Sequence, residues 1–231
     1  ANRGVNITLE KNIPVGAGLA GGSGNAAATL VGLNLLWQLG LTQIELEQLS
    51  AQLGSDVPFC IRGGTAIATG RGEVLDPISS LTKLWVVLAK YKSLSVSTPW
   101  AYQTYRQQFS DRYVDIANSA TLKERQQRVH AGPMVAAIGH GEETAIGTHL
   151  HNDLERVVLP AHPKVQQLRH AMANHGGLGT LMSGSGPTVF TLVETQLAAD
   201  DILAKVRADL PDSDLQLWAA CFTATGLRLE S

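Results

Sequence analysis

Residues Pro14-Val15-Gly16-Ala17-Gly18-Leu19-Ala20-Gly21-Gly22-Ser23-Gly24 place five glycines within nine positions. Glycine lets backbone come close to a ligand and take positive φ. A run of helix formers, Ala26 to Leu39, follows the loop. The free N–H groups and positive dipole end of that helix then face the loop, which is the chemistry of a phosphate seat. A flexible turn is the plainer alternative, and a poor one for so many glycines between a strand and a helix. A second candidate is Asp56 in Gly54-Ser55-Asp56-Val57-Pro58. Aspartate in such a bend is commonly a cap or Asx-turn residue. It is also the kind of group that accepts or orients the proton of an attacking hydroxyl. The third is Ser183-Gly184-Ser185-Gly186-Pro187, either a tight hairpin turn or a wall beside a phosphate or substrate.

Two familiar phosphate motifs fail on this loop. Gly16-x-Gly18-x-x-Gly21 matches the dinucleotide fingerprint literally, but that reading needs a strand after the helix ending in an acid about 20 residues on. Here Gly40-Leu41-Thr42-Gln43-Ile44-Glu45 opens a second helix instead, with Thr42 and Glu45 as a capping box. A P-loop needs Gly-Lys-Ser/Thr, and Gly24-Asn25-Ala26 has no lysine.

The elements that position these residues can be read from periodicity and breakers. Val5 to Leu9 alternates as a half-buried strand. The helix opened at Thr42 is expected to present Ile44, Leu49 and Leu53 on one face and to close at Gly54. Phe59–Ile61 and Thr65–Thr69 read as strands around Gly63-Gly64, and Leu84–Ala89 as a buried strand. Thr98 reads as an N-cap before Pro99, starting a helix to about Phe109. Ser110 to His130 is polar and reads as a solvated loop or mobile excursion. A helix over 163–174, strands over 178–182 and 188–193, a helix over 196–210 and a strand over 215–223 follow. That α-β-β-α-β order predicts a ferredoxin-like unit, with a domain boundary near residue 80.

Composition bounds the function. The chain has 231 residues, 44% apolar and 16% charged, enough for one large or two small domains. Eighteen basic against 20 acidic residues leave a net charge of −2, which gives no attraction for polyanions. Cys60 and Cys221 form no disulfide framework or zinc module and fit a reducing compartment. The longest nearly apolar stretch, Ala26 to Trp37, is too short to span a bilayer. All seven histidines lie between His130 and His175. His149-x-His151 lacks the third and fourth ligands that zinc requires, and solvent-facing histidines are the expectation. Lys11 is either a solvated charge at a strand end or a contact to nucleotide or substrate.

Pro14-x-Gly16-x-Gly18-Leu19-x-Gly21-Gly22-Ser23, entering an Ala-rich helix, resembles the phosphate loop of the GHMP kinases, which phosphorylate small metabolites with ATP. The resemblance takes in Lys11-Asn12-Ile13-Pro14, Asn25-Ala26-Ala27, Leu33-Asn34, Leu36-Trp37 and Gly54-Ser55-Asp56-Val57-Pro58-Phe59. It continues at Arg62-Gly63, Gly70-Arg71-Gly72-Glu73, Asn152-Asp153-Leu154-Glu155 and Ser183-Gly184-Ser185-Gly186. It is dense over 5–75 and patchy over 80–225.

The resemblance implies an α+β, two-domain fold. A ribosomal S5-like N-terminal part over 1–80 would bind ATP, and a ferredoxin-like C-terminal domain would fill 81–231. It implies ATP and Mg2+ as cofactors. ATP would be held by Pro14, Val15, Gly16, Ala17, Gly18, Leu19, Ala20, Gly21, Gly22, Ser23 and Gly24. Asp56 would be catalytic, and Lys11, Asp56, Thr98, Gly184 and Ser185 would meet the acceptor. Ser23 would hold the metal, alone, because the family usually carries a second serine where this chain has Gly24. The members it most resembles phosphorylate the 2-hydroxyl of a cytidine-diphosphate-linked polyol in isoprenoid synthesis. Homoserine, mevalonate and sugar kinases are the alternatives, as is a nucleotide-binding fragment without efficient turnover. The family lysine that pairs with the aspartate would lie upstream of Ala1, and thirteen residues precede Pro14, so an N-terminally shortened kinase is expected. Expected partners are ATP and a small-molecule substrate, with no nucleic acid and no membrane, in a cytoplasmic monomer or homodimer.

Overall fold

The computed structural model describes residues 4–81, 83–112 and 129–229. Its first part is helical: α1 (Gly21–Leu36), α2 (Gln43–Ser50) and α3 (Val57–Arg62), followed by the antiparallel hairpin β1 (Thr65–Thr69) and β2 (Val74–Ile78). Ala27, Leu46, Val57 and Ile61 form the small core that joins the three helices.

The second part is built on β3 (Trp85–Tyr91). The chain runs from it through α4 (Thr98–Gln108), a 3-10 turn (Ser110–Arg112), α5 (Pro133–His140), α6 (Glu143–Thr148), α7 (Glu155–Ala161) and α8 (Pro163–Asn174). It then forms β4 (Gly179–Met182), β5 (Val189–Val193), α9 (Gln196–Asp209) and β6 (Leu215–Cys221). The sheet order is β4-β5-β3-β6, antiparallel throughout, with Leu88 opposite Phe190 on one side and Trp218 on the other. Counted from β3, the second and fourth strands are the edges. That is the ferredoxin-like arrangement, and β3, which lies outside the α-β-β-α-β unit expected from sequence, is its first strand.

Alternation along β3 sorts its side chains between two layers. Val87 and Ala89 face Leu168 and Met172 of α8 and Ile202 and Val206 of α9, all buried. Val86 and its β5 partner Leu192 pack on the other face with Ala137 of α5 and Ile146 of α6. At roughly 1.5–3 kcal/mol for each large apolar side chain removed from water, these layers hold the sheet.

Several expectations are corrected. Val5–Leu9 is not a strand: no described segment pairs with it, and Ile7 and Leu9 are 61% and 58% exposed. Alternation alone leaves a strand's backbone groups without partners. Phe59–Ile61 is part of α3, because Val57-Pro58 supplies the fixed φ of a first helical turn and a short apolar run suits helix as well as strand. The Thr42–Glu45 capping box forms, but Leu46 rather than Ile44, Leu49 and Leu53 is buried on α2. The strand β2 and helices α5, α6 and α7 were not foreseen. Most of the polar stretch from Ser110 to His130 falls on 113–128, outside the described residues.

Candidate active site

Both halves contribute walls to one cavity of about 920 Å³. The floor is the glycine loop. Gly16 and Gly18 take φ of +63° and +71°, and Ala20 is left-handed at 49°, which turns the chain sharply into α1. The helix therefore starts at Gly21, five residues earlier than its run of helix formers predicts. Ala20 has no side-chain oxygen to cap the helix, and its first turn holds no acid. The first hydrogen bond of the helix ties the Gly24 N–H to the Ala20 carbonyl at 2.9 Å. The amides of Gly21, Gly22 and Ser23 thus have no acceptor within the helix, and the dipole favours an anion at that end.

Two close approaches shape this mouth. A Cβ at Gly21 would lie 2.8 Å from both Ile13 Cγ2 and Lys11 Nζ. The Lys11 ammonium therefore stands beside the first amide of the helix, on the cavity wall. A Cβ at Gly18 would collide with the carbonyl oxygen of Ser183.

Asp56 precedes α3 with φ −86° and ψ −11°, and its side chain makes no cap hydrogen bond. Asp56 thus sits at the N-cap position without the side-chain bond of a cap, and it lines the cavity wall. One turn on, burial, aided by the negative charge of Asp56, pushes the Cys60 thiol above its ordinary range. Cys60 is therefore a protonated, unreactive neighbour.

The turn after β4 closes the cavity from the second half. It is a hairpin turn, with Ser183 N–H donating to Thr188 O and Gly186 N–H to Ser183 O, both at 2.8 Å. It is also a wall: Ser183, Gly184 and Ser185 all line the cavity. Ser183 Oγ donates to Gly18 O at 2.7 Å, and Thr188 N–H donates to Ala17 O at 3.3 Å. Ser185 Oγ and Thr98 Oγ1 are hydrogen-bonded at 2.8 Å. Thr98 is free for that contact because Ser97, not Thr98, caps α4, accepting from Trp100 N–H.

The cavity thus gathers Lys11, Pro14 to Gly22, Asp56, Thr98, Gly184 and Ser185, as expected from sequence. Ser23 and Gly24 lie in the first turn of α1 and are not among its lining residues. Leu9, Asn25 and Tyr102 also line it and were missed, while Ser183 belongs to the turn already expected as a wall. Tyr102 carried a signal, being one helical turn beyond Thr98 and so on the same face of α4. Tyr102 is 53% exposed.

Among the described residues no three His, Cys, Asp or Glu side chains gather as a metal site. Magnesium needs no such cage. It keeps several waters and is held by one or two carboxylates together with substrate phosphates. A single carboxylate, Asp56, beside an anion seat fits that mode.

Residues 1–64 match the model of the GHMP kinases N terminal domain, and residues 134–212 match that of the GHMP kinases C terminal. The chain belongs to the GHMP kinase family. Among its relatives is the 4-diphosphocytidyl-2-C-methyl-D-erythritol kinase of Gloeothece citriformis, 60% identical over 227 residues, covering 98% of this chain and 71% of the relative. The enzyme of the same name from Synechocystis sp. is 56% identical over 226 residues, with the same coverage. A crystal structure of 4-(cytidine 5'-diphospho)-2C-methyl-D-erythritol kinase superposes with a TM-score of 0.66 at 31% identity, covering 91% of this chain and 68% of that one. Homoserine kinase from Cytophaga hutchinsonii gives a TM-score of 0.72 at 18% identity, covering 94% and 69%, a likeness of fold alone. Among the described residues no helix is long and apolar enough to cross a membrane.

Proposed function

We propose that this kinase transfers the γ-phosphoryl group of ATP to the 2-hydroxyl of 4-diphosphocytidyl-2-C-methyl-D-erythritol, in non-mevalonate isoprenoid biosynthesis. The observation that carries the reading is that Asp56 and the uncapped mouth of α1 face one cavity. Relatives at 52–60% identity bear that enzyme's name, which favours this acceptor over homoserine, mevalonate or a sugar.

The chemistry follows from the placement. The amides of Gly21 to Ser23 and the loop from Pro14 to Ala20 hold the phosphates, and Lys11 adds a positive charge beside them. The acceptor's hydroxyl oxygen attacks the γ-phosphorus while the bond to the β-bridging oxygen breaks. ADP leaves with that electron pair. The hydroxyl proton passes to the Asp56 carboxylate, or Asp56 holds the hydroxyl in line until solvent takes it. Thr98, Gly184 and Ser185 offer hydrogen-bonding groups to the acceptor from the opposite wall, which Tyr102 also lines. Mg2+, when bound, neutralises phosphate charge. Asp56 is the cavity residue that would hold it, and Ser23, the other candidate, lies in the first turn of α1 outside the cavity lining.

Residues 1–80 would form the nucleotide-binding domain and 81–231 the domain closing over the acceptor, in a cytoplasmic monomer or homodimer. A steady-state assay with ATP and a panel of acceptors tests the reading. The cytidine-diphosphate-linked polyol is expected to release ADP at a rate well above homoserine, mevalonate and galactose. Equal or better turnover of one of those would overturn the acceptor assignment.

A further inference from the structure

β4 is an edge strand, so the outward N–H and C=O of its last residue, Met182, have no ladder partner. Two side chains take them. Asn152 Nδ2 donates to the carbonyl oxygens of Met182 and Gly184, both at 2.8 Å. Its Oδ1 accepts the Leu154 N–H at 2.9 Å, which fixes the direction of the amide. Glu155 Oε1 accepts the Met182 N–H at 2.8 Å and pairs with Arg169 Nε at 2.8 Å. Neither Asn152 nor Glu155 lines the cavity. They grip the strand end and the turn from behind, while the turn's own hydroxyls reach Gly18 and Thr98 in front.

We propose that Asn152 is a positioning residue for phosphoryl transfer, setting the Ser183–Ser185 turn against the glycine loop. The chemistry of the position demands an amide. One nitrogen must donate two hydrogens to two carbonyls at once. Aspartate would set a carboxylate against both oxygens, and serine has a single hydrogen to give. With the Gly184 carbonyl released, Glu155 still holds the Met182 N–H from behind, but the turn beyond it rests on its front contacts, and the seat at Gly18 loses its fixed wall. The turnover consequence rests on the kinase reading above, whereas the effect on nucleotide affinity does not.

The test compares the wild-type chain with Asn152→Asp and Asn152→Ser. It measures affinity for a non-hydrolysable ATP analogue by calorimetry, the melting midpoint, and kcat and KM with the diphosphocytidyl acceptor. Two hydrogen bonds of ordinary strength correspond to about a tenfold or greater loss of analogue affinity in Asn152→Asp. Asn152→Ser is expected to fall between that variant and wild type. The double variant Asn152→Asp/Ser183→Ala is expected to bind no more weakly than the weaker single variant, because both act through one contact. A lower melting midpoint with wild-type affinity in the folded protein would make the residue merely structural and overturn the proposal. Additive losses in the double variant would do the same. If Asn152→Asp does not fold, Asn152→Ser decides, and unchanged affinity there is fatal. A wild-type chain that binds the analogue but transfers nothing to the acceptor sinks the kinase reading and leaves the affinity result standing.

Discussion

The Ser183 hydroxyl donates to the carbonyl of Gly18 at 2.7 Å, across 165 positions of sequence. That bond joins the turn of the ferredoxin-like half to the loop of the helical half, at the place where the phosphate seat is formed. It needs Gly18 twice over. The residue has φ +71°, and any Cβ there would strike the Ser183 carbonyl.

Gly18→Ala should therefore separate the two walls. A left-handed backbone and a backbone collision together cost about 1–3 kcal/mol. Urea unfolding should show that loss, accompanied by weakened binding of an ATP analogue. A variant with the wild-type midpoint and affinity would mean that the loop and the turn are not coupled.

Gly21→Val is a different lesion. Position 21 is helical, and the new side chain meets Ile13 and the end of the flexible Lys11 side chain rather than backbone. The fold should survive, with its melting midpoint little changed, while Lys11 is pushed from the helix mouth and nucleotide affinity drops. Calorimetry on the variant checks this, and unchanged affinity would argue against the loop as the phosphate cradle.

The phosphate loop was legible because its glycines have one common physical cause. The carboxylate was legible as a candidate, and only the structure separates it from a cap, since nothing in Ser55-Asp56-Val57 dictates where the side chain goes. The C-terminal unit was readable from turn residues and periodicity. Its first strand was placed correctly but not joined to the unit, because pairing of β3 with β5 and β6 is non-local. Val5–Leu9 shows the opposite failure, a strand pattern without a partner. Tyr102 reaches the site, and Asn152 the back of its turn, through tertiary placement of α4 and of the segment before α7, which local sequence does not announce.

Asp153 gives a pH test of that segment. Burial raises its pKa, but His151, 3.2 Å from Oδ1, together with Tyr105 and Arg156, outweighs it, and the carboxyl sits below its ordinary value of 3.8. A carboxyl depressed in the folded state contributes stability above its unfolded pKa and loses it as pH falls through the folded one. Asp153→Asn should thus be less stable than wild type at pH 6, with the gap closing below pH 3.8. Urea midpoints at the two ends of that range measure it. A gap independent of pH would contradict the sign.

Phosphoryl transfer requires Asp56 beside the helix mouth, and single-turnover phosphorylation by wild type and Asp56→Asn measures that requirement. Asp56 makes no cap bond, so the variant should fold as wild type does. Its rate of forming ADP and phosphorylated acceptor together should fall by about 10²–10⁴. Wild-type rates in Asp56→Asn would contradict the account.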